Sequence, residues 1–192
     1  MESLLQTRAG GAVAVRKLNT KYDADGFIGL YRKAFAEPPW NENLEYSAVM
    51  KELLGYYNSI DLDIKVAVVQ VERKSGAKGM LRTDSIVVGL SVAYRLDYKE
   101  FAFLSERLAE GLYAYGDELA VMKEWRNNGI ARALITSREG FYRRLGYAGL
   151  VGRTNVNGPM VQVYEKLGFK NIGVQDPVYP ERHYFEKRID GI

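Results

Sequence analysis

The chain has 192 residues, 47% apolar and 12% aromatic, which is enough to build one compact domain around a buried core, so residues 1–192 are treated as a single domain. The net charge of +3 comes from 27 Lys and Arg interspersed with 24 Asp and Glu, and this balance does not indicate a nucleic-acid partner. The absence of cysteine excludes disulfides, cysteine-ligated metals and thiol nucleophiles, and a single histidine, His183, excludes a histidine-rich metal site. We therefore expect no metal, and a cytoplasmic location is favoured.

The first half of the chain predicts a strand, two helices and a strand pair. Ala12–Leu18 alternates apolar and polar residues, as a strand does, whereas Asp23–Ala36 has the apolar spacing of one helix face. The two prolines that follow must end this helix. Leu44–Tyr57 is helical by the same criterion, and Ile64–Val71 and Ser85–Tyr94 are β-branched runs that predict an antiparallel pair.

The second half alternates helices and strands. The apolar spacing in Lys99–Tyr113 predicts a helix, Glu118–Met122 reads as a short strand, and Ile130–Arg144 reads as a second helix. The remaining predicted elements are a strand, a helix and two strands: Leu150–Thr154, Pro159–Leu167, Phe169–Val174 and His183–Ile189. No apolar run approaches the roughly 20 residues that cross a bilayer, so we expect no membrane segment. The order predicts a mixed α/β domain.

The turn after the Glu118–Met122 strand is suited to an anion. Arg126, Asn127, Asn128 and Gly129 lead directly into a helix, whose first backbone amides and positive dipole end can hold a phosphate. Glycine lets a ligand approach the backbone closely. Spacing alone is also compatible with an ordinary strand-to-helix turn that contains a glycine and binds no phosphate.

Two segments in order carry a resemblance to a known family. Arg126-Asn-Asn-Gly-Ile-Ala131 resembles the Arg/Gln-x-x-Gly-x-Gly/Ala motif of the GNAT superfamily of N-acetyltransferases, with Ala131 where glycine is commoner. Asn157, followed by Tyr164-Glu-Lys-Leu-Gly-Phe169, is similar to the later Asn…Tyr-Glu-Lys-x-Gly-Phe segment of that family. The early Ala34–Trp40 segment also resembles that of some members.

The resemblance implies a mixed, mostly antiparallel central sheet, flanked by helices and splayed in the middle to form a cleft for acetyl-CoA. It implies that the pantetheine pairs with the backbone of one strand segment and that the pyrophosphate lies on the turn. The implied cofactor-binding residues are Leu119, Ala120, Val121, Met122, Arg126, Asn127, Asn128, Gly129, Ile130, Ala131, Asn157 and Tyr164.

The catalytic roles also follow from the resemblance. Tyr164 is the candidate acid, because a phenol with a pKa near ~10 can protonate a departing thiolate of similar basicity. The alternative is an aromatic packed under the sheet. Asp117 and Glu118 are candidate bases whose side chains point to opposite faces of a strand, so at most one reaches the amine, and we favour Glu118. The alternative to a catalytic role is that both carboxylates simply lie in solvent at the edge of the strand.

The acceptor side is less constrained. In the family, the connection that contains Pro39 and Trp40 borders the acceptor pocket, so both are candidate substrate-binding residues, although a tryptophan also serves as a core anchor.

Tyr142 falls inside the Ile130–Arg144 helix and is interpreted as a packed or surface aromatic. Arg138 lies with two further arginines on that helix, in the chain's one basic group with an interleaved aromatic, and this group is interpreted as a solvated face.

These observations predict transfer of an acetyl group from acetyl-CoA to a primary amine of a small molecule or a protein. The alternative is a CoA-binding or acyl-CoA-binding sensor or assembly module without turnover. The sequence leaves a homodimer open.

Overall fold

The computed structural model describes residues 3–6, 12–38, 40–75 and 80–189. Within these ranges the elements are β1 (Ser3–Gln6), β2 (Ala12–Lys17), α1 (Thr20–Phe35), α2 (Tyr46–Tyr56), β3 (Asp63–Ser75), β4 (Met80–Arg95), β5 (Tyr113–Val121), α3 (Ile130–Arg144), β6 (Gly149–Asn155), α4 (Met160–Lys166), β7 (Lys170–Gln175) and β8 (Arg182–Arg188). Two single 3₁₀ turns, Ala102–Leu104 and Lys123–Trp125, precede β5 and α3.

The strands of the described residues form a sheet of eight in the hydrogen-bonded order β1-β2-β3-β4-β5-β6-β8-β7. The pairs β1-β2, β2-β3, β6-β8 and β7-β8 are antiparallel. The pair β5-β6 is parallel, and α3 connects its strands. This mixed, mostly antiparallel sheet with helices confirms the predicted fold class.

The chain forms two compact units, each built from separated stretches. The first comprises Met1–Asn58, Ile64–Ser91 and Leu119–Leu134. The second comprises Ser59–Asp63, Val92–Glu118 and Ile135–Ile192. Strands β3, β4 and β5 and helix α3 therefore contribute residues to both.

The first unit buries an aliphatic core between its strands and the start of α3. Its fully buried members include Val13, Ala67, Val88, Ile130 and Leu134. A Cβ atom at Gly89 would approach side-chain atoms of Ile130, Ala67 and Leu134 to 2.8–3.1 Å, so the missing side chain allows α3 to pack closely on the sheet. This packing fixes the N-terminal end of α3, where the predicted phosphate-binding turn lies.

The second unit has an aromatic core. Phe101, Leu104, Tyr113, Tyr115 and Tyr184 pack together with exposures of 9% or less. Tyr113 and Tyr115 point to the same side of β5, as alternation requires. The residues between them and after them, Ala114 and Gly116, therefore face the opposite side.

Most predicted elements are confirmed, with boundary shifts of a few residues. Helix α3 has the predicted bounds, and α1 begins three residues earlier than predicted because the Asn19 side chain caps it by accepting a hydrogen bond from the Lys21 amide at 3.1 Å. Strand β5 begins at Tyr113, five residues before the predicted strand. Strand β1 was missed, and the connection between β3 and β4 lies outside the described residues.

The helix predicted over Lys99–Tyr113 is wrong. This segment contains a three-residue 3₁₀ turn followed by further turns, and Tyr113 already belongs to β5. Phe101, Leu104 and Leu108 do point into one core, which produced the helical spacing. Local turns closed by i→i+3 and i→i+4 hydrogen bonds achieve this burial without a continuous helix.

Among the described residues, no helix combines the length and the apolar character needed to cross a bilayer.

Candidate functional site

The predicted phosphate-binding turn is a tight connection into α3. Asn127 and Gly129 both have positive φ, 63° and 80°. The Asn128 side chain closes the turn by donating to the carbonyls of Trp125 and Arg126 at 3.3 and 3.2 Å. The first α-helical hydrogen bond runs from the Ala133 amide to the Gly129 carbonyl, and amides that precede such a bond have no acceptor within their helix. The turn thus has the backbone geometry of an anion site.

Arg126 is held on this turn by two acceptors. Its Nε donates to the Val121 carbonyl at 3.1 Å, and its Nη1 donates to the Glu37 carboxylate at 2.7 Å. Both partners of this ion pair are partly exposed, with side-chain exposures of 41% and 33%. The guanidinium is therefore positioned beside the turn and shared with a carboxylate that follows α1.

The segment predicted to pair with pantetheine continues β5 and leads into the turn. The Met122 amide donates to the Val88 carbonyl at 2.9 Å, which fixes this segment along β4. Leu119, Val121 and Met122 pack against the aliphatic core of the first unit, and Ala120 is buried. These contacts anchor the segment to the core through its side chains.

In the second unit, β5 and β6 separate. Their register runs from Tyr113 opposite Gly149 to Gly116 opposite Gly152. Both strands continue beyond that point, β5 to Val121 and β6 to Asn155. The backbone of β5 after Gly116 thus leaves the β6 ladder, which is the geometry that the resemblance predicts for a cofactor cleft.

Two glycines mark the last paired position, and each makes room for a polar group. A Cβ atom at Gly116 would overlap Nη1 of Arg138 on α3, and a Cβ atom at Gly152 would overlap the hydroxyl of Tyr164 on α4. Residues opposite each other in a parallel pair point to the same face of the sheet. The guanidinium and the phenol therefore lie side by side on one face, where the strands part.

Tyr164 is a buried side chain with one polar end. It is 5% exposed, and its ring packs against Phe169 and Phe185 at centroid distances of 4.8 and 5.5 Å. Burial raises the pKa of Tyr164 above its usual value, and the nearby positive charge of Arg138 acts in the opposite direction. The phenol is thus protonated at neutral pH and able to donate.

The two candidate bases lie on opposite faces of β5, as predicted from alternation. Asp117 accepts a hydrogen bond from the Tyr94 hydroxyl at 3.1 Å, on the face of the aromatic core. Burial and the adjacent Asp117 charge raise the pKa of Tyr94, so this hydroxyl stays a donor. Glu118 is two residues from Gly116 and shares the face of Tyr164, and its carbonyl accepts from Arg138 at 3.0 Å.

The remaining predicted residues are more peripheral. Asn157 is exposed, and its amide donates to the Asn155 side chain at 2.9 Å. The ring of Trp40 is half-buried and lies 5.7 Å from that of Phe35. Pro39 lies outside the described residues. Tyr142 is fully buried and donates to the Asp61 carbonyl at 2.9 Å, which confirms its interpretation as a packed aromatic.

Sequence analysis missed Arg138 and Glu37 as residues of the site. Arg138 was interpreted as part of a solvated face, but it is 4% exposed. Its burial depends on the missing side chain at Gly116, 22 positions earlier, and no local pattern reports that. Glu37 reaches Arg126 across 89 positions of sequence, and only a tertiary structure reveals such a pair.

Comparison with known proteins agrees with this geometry. Residues 81–171 match the family model described as an acetyltransferase (GNAT) domain. A search of curated proteins finds no match. Solved structures with a similar fold include the GNAT domain of S. lividans PAT, with a TM-score of 0.66 and 14% identity over 97% of this chain and 96% of that chain.

Two further similar structures hold a ligand of the CoA type. The PaiA N-acetyltransferase from Thermoplasma acidophilum, in complex with coenzyme A, has a TM-score of 0.61 and 14% identity over 92% of this chain and 98% of that chain. NAA60 from Arabidopsis thaliana, in complex with acetyl-CoA, has a TM-score of 0.63 and 19% identity over 93% of this chain and 99% of that chain. At these identities the similarity establishes the fold.

The predicted resemblance to the GNAT superfamily is confirmed: residues 81–171 match the model of a GNAT acetyltransferase domain, and the chain has the fold of solved GNAT structures.

Proposed function

We propose that this chain transfers the acetyl group of acetyl-CoA to a primary amine. The observation that carries the proposal is the separation of β5 from β6 after Gly116 and Gly152, with the Tyr164 hydroxyl at the point of separation. A strand edge released from its neighbour offers amides and carbonyls to an extended ligand. A buried phenol at the same place offers a proton.

The Arg126–Ala131 turn is the proposed pyrophosphate site. Its backbone conformation, the positive end of α3 and the Arg126 guanidinium all favour a bound anion. The Leu119–Met122 segment connects this turn to the part of β5 that leaves β6. Its backbone is the proposed partner of the pantetheine arm.

Acetyl-CoA supplies an activated acyl group as a thioester. In the transfer, a bond forms between the amine nitrogen and the acetyl carbon, and the bond from that carbon to sulfur breaks. The attacking amine must lose a proton and the departing thiolate must gain one. Tyr164 is the proposed donor to sulfur, since its protonated phenol lies at the separation of the strands.

Glu118 is the proposed acceptor of the amine proton. It lies on the same face of β5 as Gly116, and Tyr164 lies on that face at the opposite glycine. Asp117 points to the other face, where the Tyr94 hydroxyl donates to it. A base and an acid that act on one tetrahedral centre need to reach the same space, which favours Glu118.

The proposal is tested by incubating the purified chain with acetyl-CoA and a panel of primary amines, including polyamines, aminoglycosides, free amino acids and peptides with free amino ends. Release of CoA thiol that depends on the amine, together with an acetylated product found by mass spectrometry, is the expected result. Saturable CoA binding without amine-dependent thiol release from any acceptor would contradict turnover and favour the sensor or assembly module.

A further inference from the structure

We propose that Arg138 is a positioning residue for the acetyl transfer, because its guanidinium fixes the main chain at Glu118 and places a positive charge beside the Tyr164 hydroxyl. This inference rests on the proposed function. It assigns a task to the one side chain of α3 that reaches between β4, β5 and the phenol.

The geometry around the guanidinium is specific. Arg138 Nη2 donates to the carbonyl of Val92 on β4 at 3.1 Å and to the carbonyl of Glu118 on β5 at 3.0 Å. The side chain is 4% exposed, so these contacts form away from solvent. Because the Glu118 carbonyl belongs to the residue that carries the proposed base, the arginine fixes the backbone from which that side chain projects.

The position of the charge follows from the glycine pair. Nη1 of Arg138 occupies the space of a side chain at Gly116, and the Tyr164 hydroxyl occupies the corresponding space at Gly152. These glycines face each other across adjacent strands, whose spacing is about 4.8 Å. The guanidinium and the phenol thus occupy corresponding positions on two adjacent strands.

A buried cation has a consequence for proton donation. Burial disfavours the phenolate and so raises the pKa of Tyr164. The positive charge of Arg138 favours the phenolate and acts to lower this pKa. After the phenol gives its proton to sulfur, the negative charge left on its oxygen is stabilised by the guanidinium. A neutral side chain at position 138 removes this stabilisation while it leaves the ring of Tyr164 in place.

The burial of an arginine here also needs a reason. An ionised side chain loses hydration on burial, and an apolar residue of similar size often serves stability as well or better. One helical turn later on α3, the buried residue is Tyr142, a neutral side chain whose hydroxyl donates to a main-chain carbonyl. A charge at position 138 therefore fits a role at the site better than a role in stability.

The elements around Tyr164 carry other ionisable groups, and several of these have partners elsewhere. Asp117 on β5 accepts from Tyr94, and Arg153 on β6 pairs with Asp176. Glu139 and Lys187 pair with each other at 2.5 Å, and His183 Nδ1 lies 3.1 Å from the Asn171 side-chain amide. Arg138 is the group whose charge acts on the phenol.

The test is a double-mutant cycle with Arg138→Gln and Tyr164→Phe, measured with the best acceptor from the amine panel. We expect Arg138→Gln to lower kcat about tenfold or more with a nearly unchanged KM for acetyl-CoA, because the phenolate left after proton donation loses its neighbouring positive charge. In the Tyr164→Phe background the same change should alter kcat less than about twofold. Arg138→Lys, which keeps the charge, should restore part of kcat.

A second readout does not depend on turnover. Tyrosine labelled with ¹³C at Cζ allows the Tyr164 signal to be assigned by its loss in Tyr164→Phe and followed against pH. We expect the pKa of Tyr164 to rise in Arg138→Gln, because the nearby positive charge is lost, and to stay unchanged in the matched control Arg143→Gln, whose partly exposed guanidinium pairs with Glu139 on the same helix.

The outcomes separate the two proposals. Equal loss of kcat in both Tyr164 backgrounds, or an unchanged pKa of Tyr164, would overturn the role of Arg138 while acetyl transfer stands. Absence of transfer to every amine overturns the proposed function, and the NMR titration then still decides whether the charge acts on the phenol. If Arg138→Gln fails to fold, the cycle and the titration are run with Arg138→Met, which removes the charge and the hydrogen bonds but keeps a long apolar side chain. An unchanged kcat and an unchanged pKa of Tyr164 in that variant would contradict the role of Arg138.

Discussion

The guanidinium of Arg126 lies 2.7 Å from the carboxylate of Glu37, so the arginine proposed to bind the pyrophosphate is already paired with an anion. A pyrophosphate beside Arg126 must share this cation with Glu37 or displace it. Both side chains are partly exposed, so the pair itself adds little stability.

We therefore expect Glu37→Gln to strengthen CoA binding several-fold, because the competing charge is removed while a hydrogen-bond acceptor for Arg126 remains. The gain should shrink at high salt, since the interaction is electrostatic and partly exposed. Calorimetric titration of CoA at two ionic strengths measures both effects. Weaker binding in Glu37→Gln would mean that Glu37 chiefly holds Arg126 in place for the ligand.

Gly129→Glu is expected to abolish CoA binding, since it puts a negative side chain where phosphate is proposed to bind. The position also has a φ of 80°, so any side chain adds backbone strain, although no neighbour lies closer than 4.0 Å to a Cβ there. Gly129→Ala is the matched control, because it has the strain without the charge and should weaken binding only modestly. Equal affinities of the two variants, measured by calorimetry, would remove the charge argument.

Tyr164→Phe should lower kcat by about 10²–10⁴-fold, as the loss of a general acid does, with the affinity for acetyl-CoA nearly unchanged. The control is Tyr142→Phe, which deletes a buried hydroxyl bonded to the Asp61 carbonyl. That control should cost about 1 kcal/mol of stability and leave kcat unaltered. Wild-type turnover in Tyr164→Phe would assign Tyr164 to packing.

Glu118→Ala should lose most of its turnover at neutral pH and recover part of it at high pH, where free amine is abundant. Asp117→Ala should be mild, because this side chain points to the opposite face and accepts from Tyr94. The pH–rate profiles of both variants, measured with one acceptor, test this. Reversed phenotypes would move the base to Asp117, and two mild ones would indicate direct proton loss to solvent.

A stability prediction concerns Asp176 in the second unit. Burial alone would raise the pKa of this carboxyl, but hydrogen bonds from Arg153 and from the Tyr179 and Val178 amides hold it at about 2, below the ordinary 3.8. Because the folded-state pKa is the lower one, the carboxylate stabilises the fold above pH 3.8, and this contribution is lost as pH falls through about 2. The shift corresponds to about 2 kcal/mol.

Chemical denaturation of the wild type and of Asp176→Asn between pH 5 and pH 2 should show this contribution as a steeper loss of unfolding free energy in the wild type. Parallel curves for the two proteins would contradict it.

The sequence was informative where local chemistry decides structure. The period of Ile130–Arg144 and the glycine before it predicted α3 with its bounds, and the turn was correctly predicted between a strand and this helix. The apolar spacing of Lys99–Tyr113 misled, because turns and helices can bury the same side chains. Periodicity reports which residues face a core, and hydrogen bonding decides the backbone between them.

Arg138 illustrates a different gap. An arginine on an amphipathic helix is ordinarily exposed, and what buries this one is space left by a glycine on β5 and carbonyls from two strands. None of those is within one helix turn of it. Site residues that depend on such distant partners become recognisable only with the tertiary structure.

The division of the chain into two units of separated stretches has a consequence for folding during synthesis. The first unit includes Met1–Asn58 but also Leu119–Leu134, and the second begins with Ser59–Asp63 but is completed only by Ile135–Ile192. During synthesis the first unit therefore cannot be completed before Leu134 has emerged, and by then part of the second unit has been made and still lacks Ile135–Ile192. Long-range pairings of this kind slow folding, so the edge of β4 that pairs with β5 stays unpaired until β5 has been made, and a chaperone that covers this edge would protect the chain from aggregation.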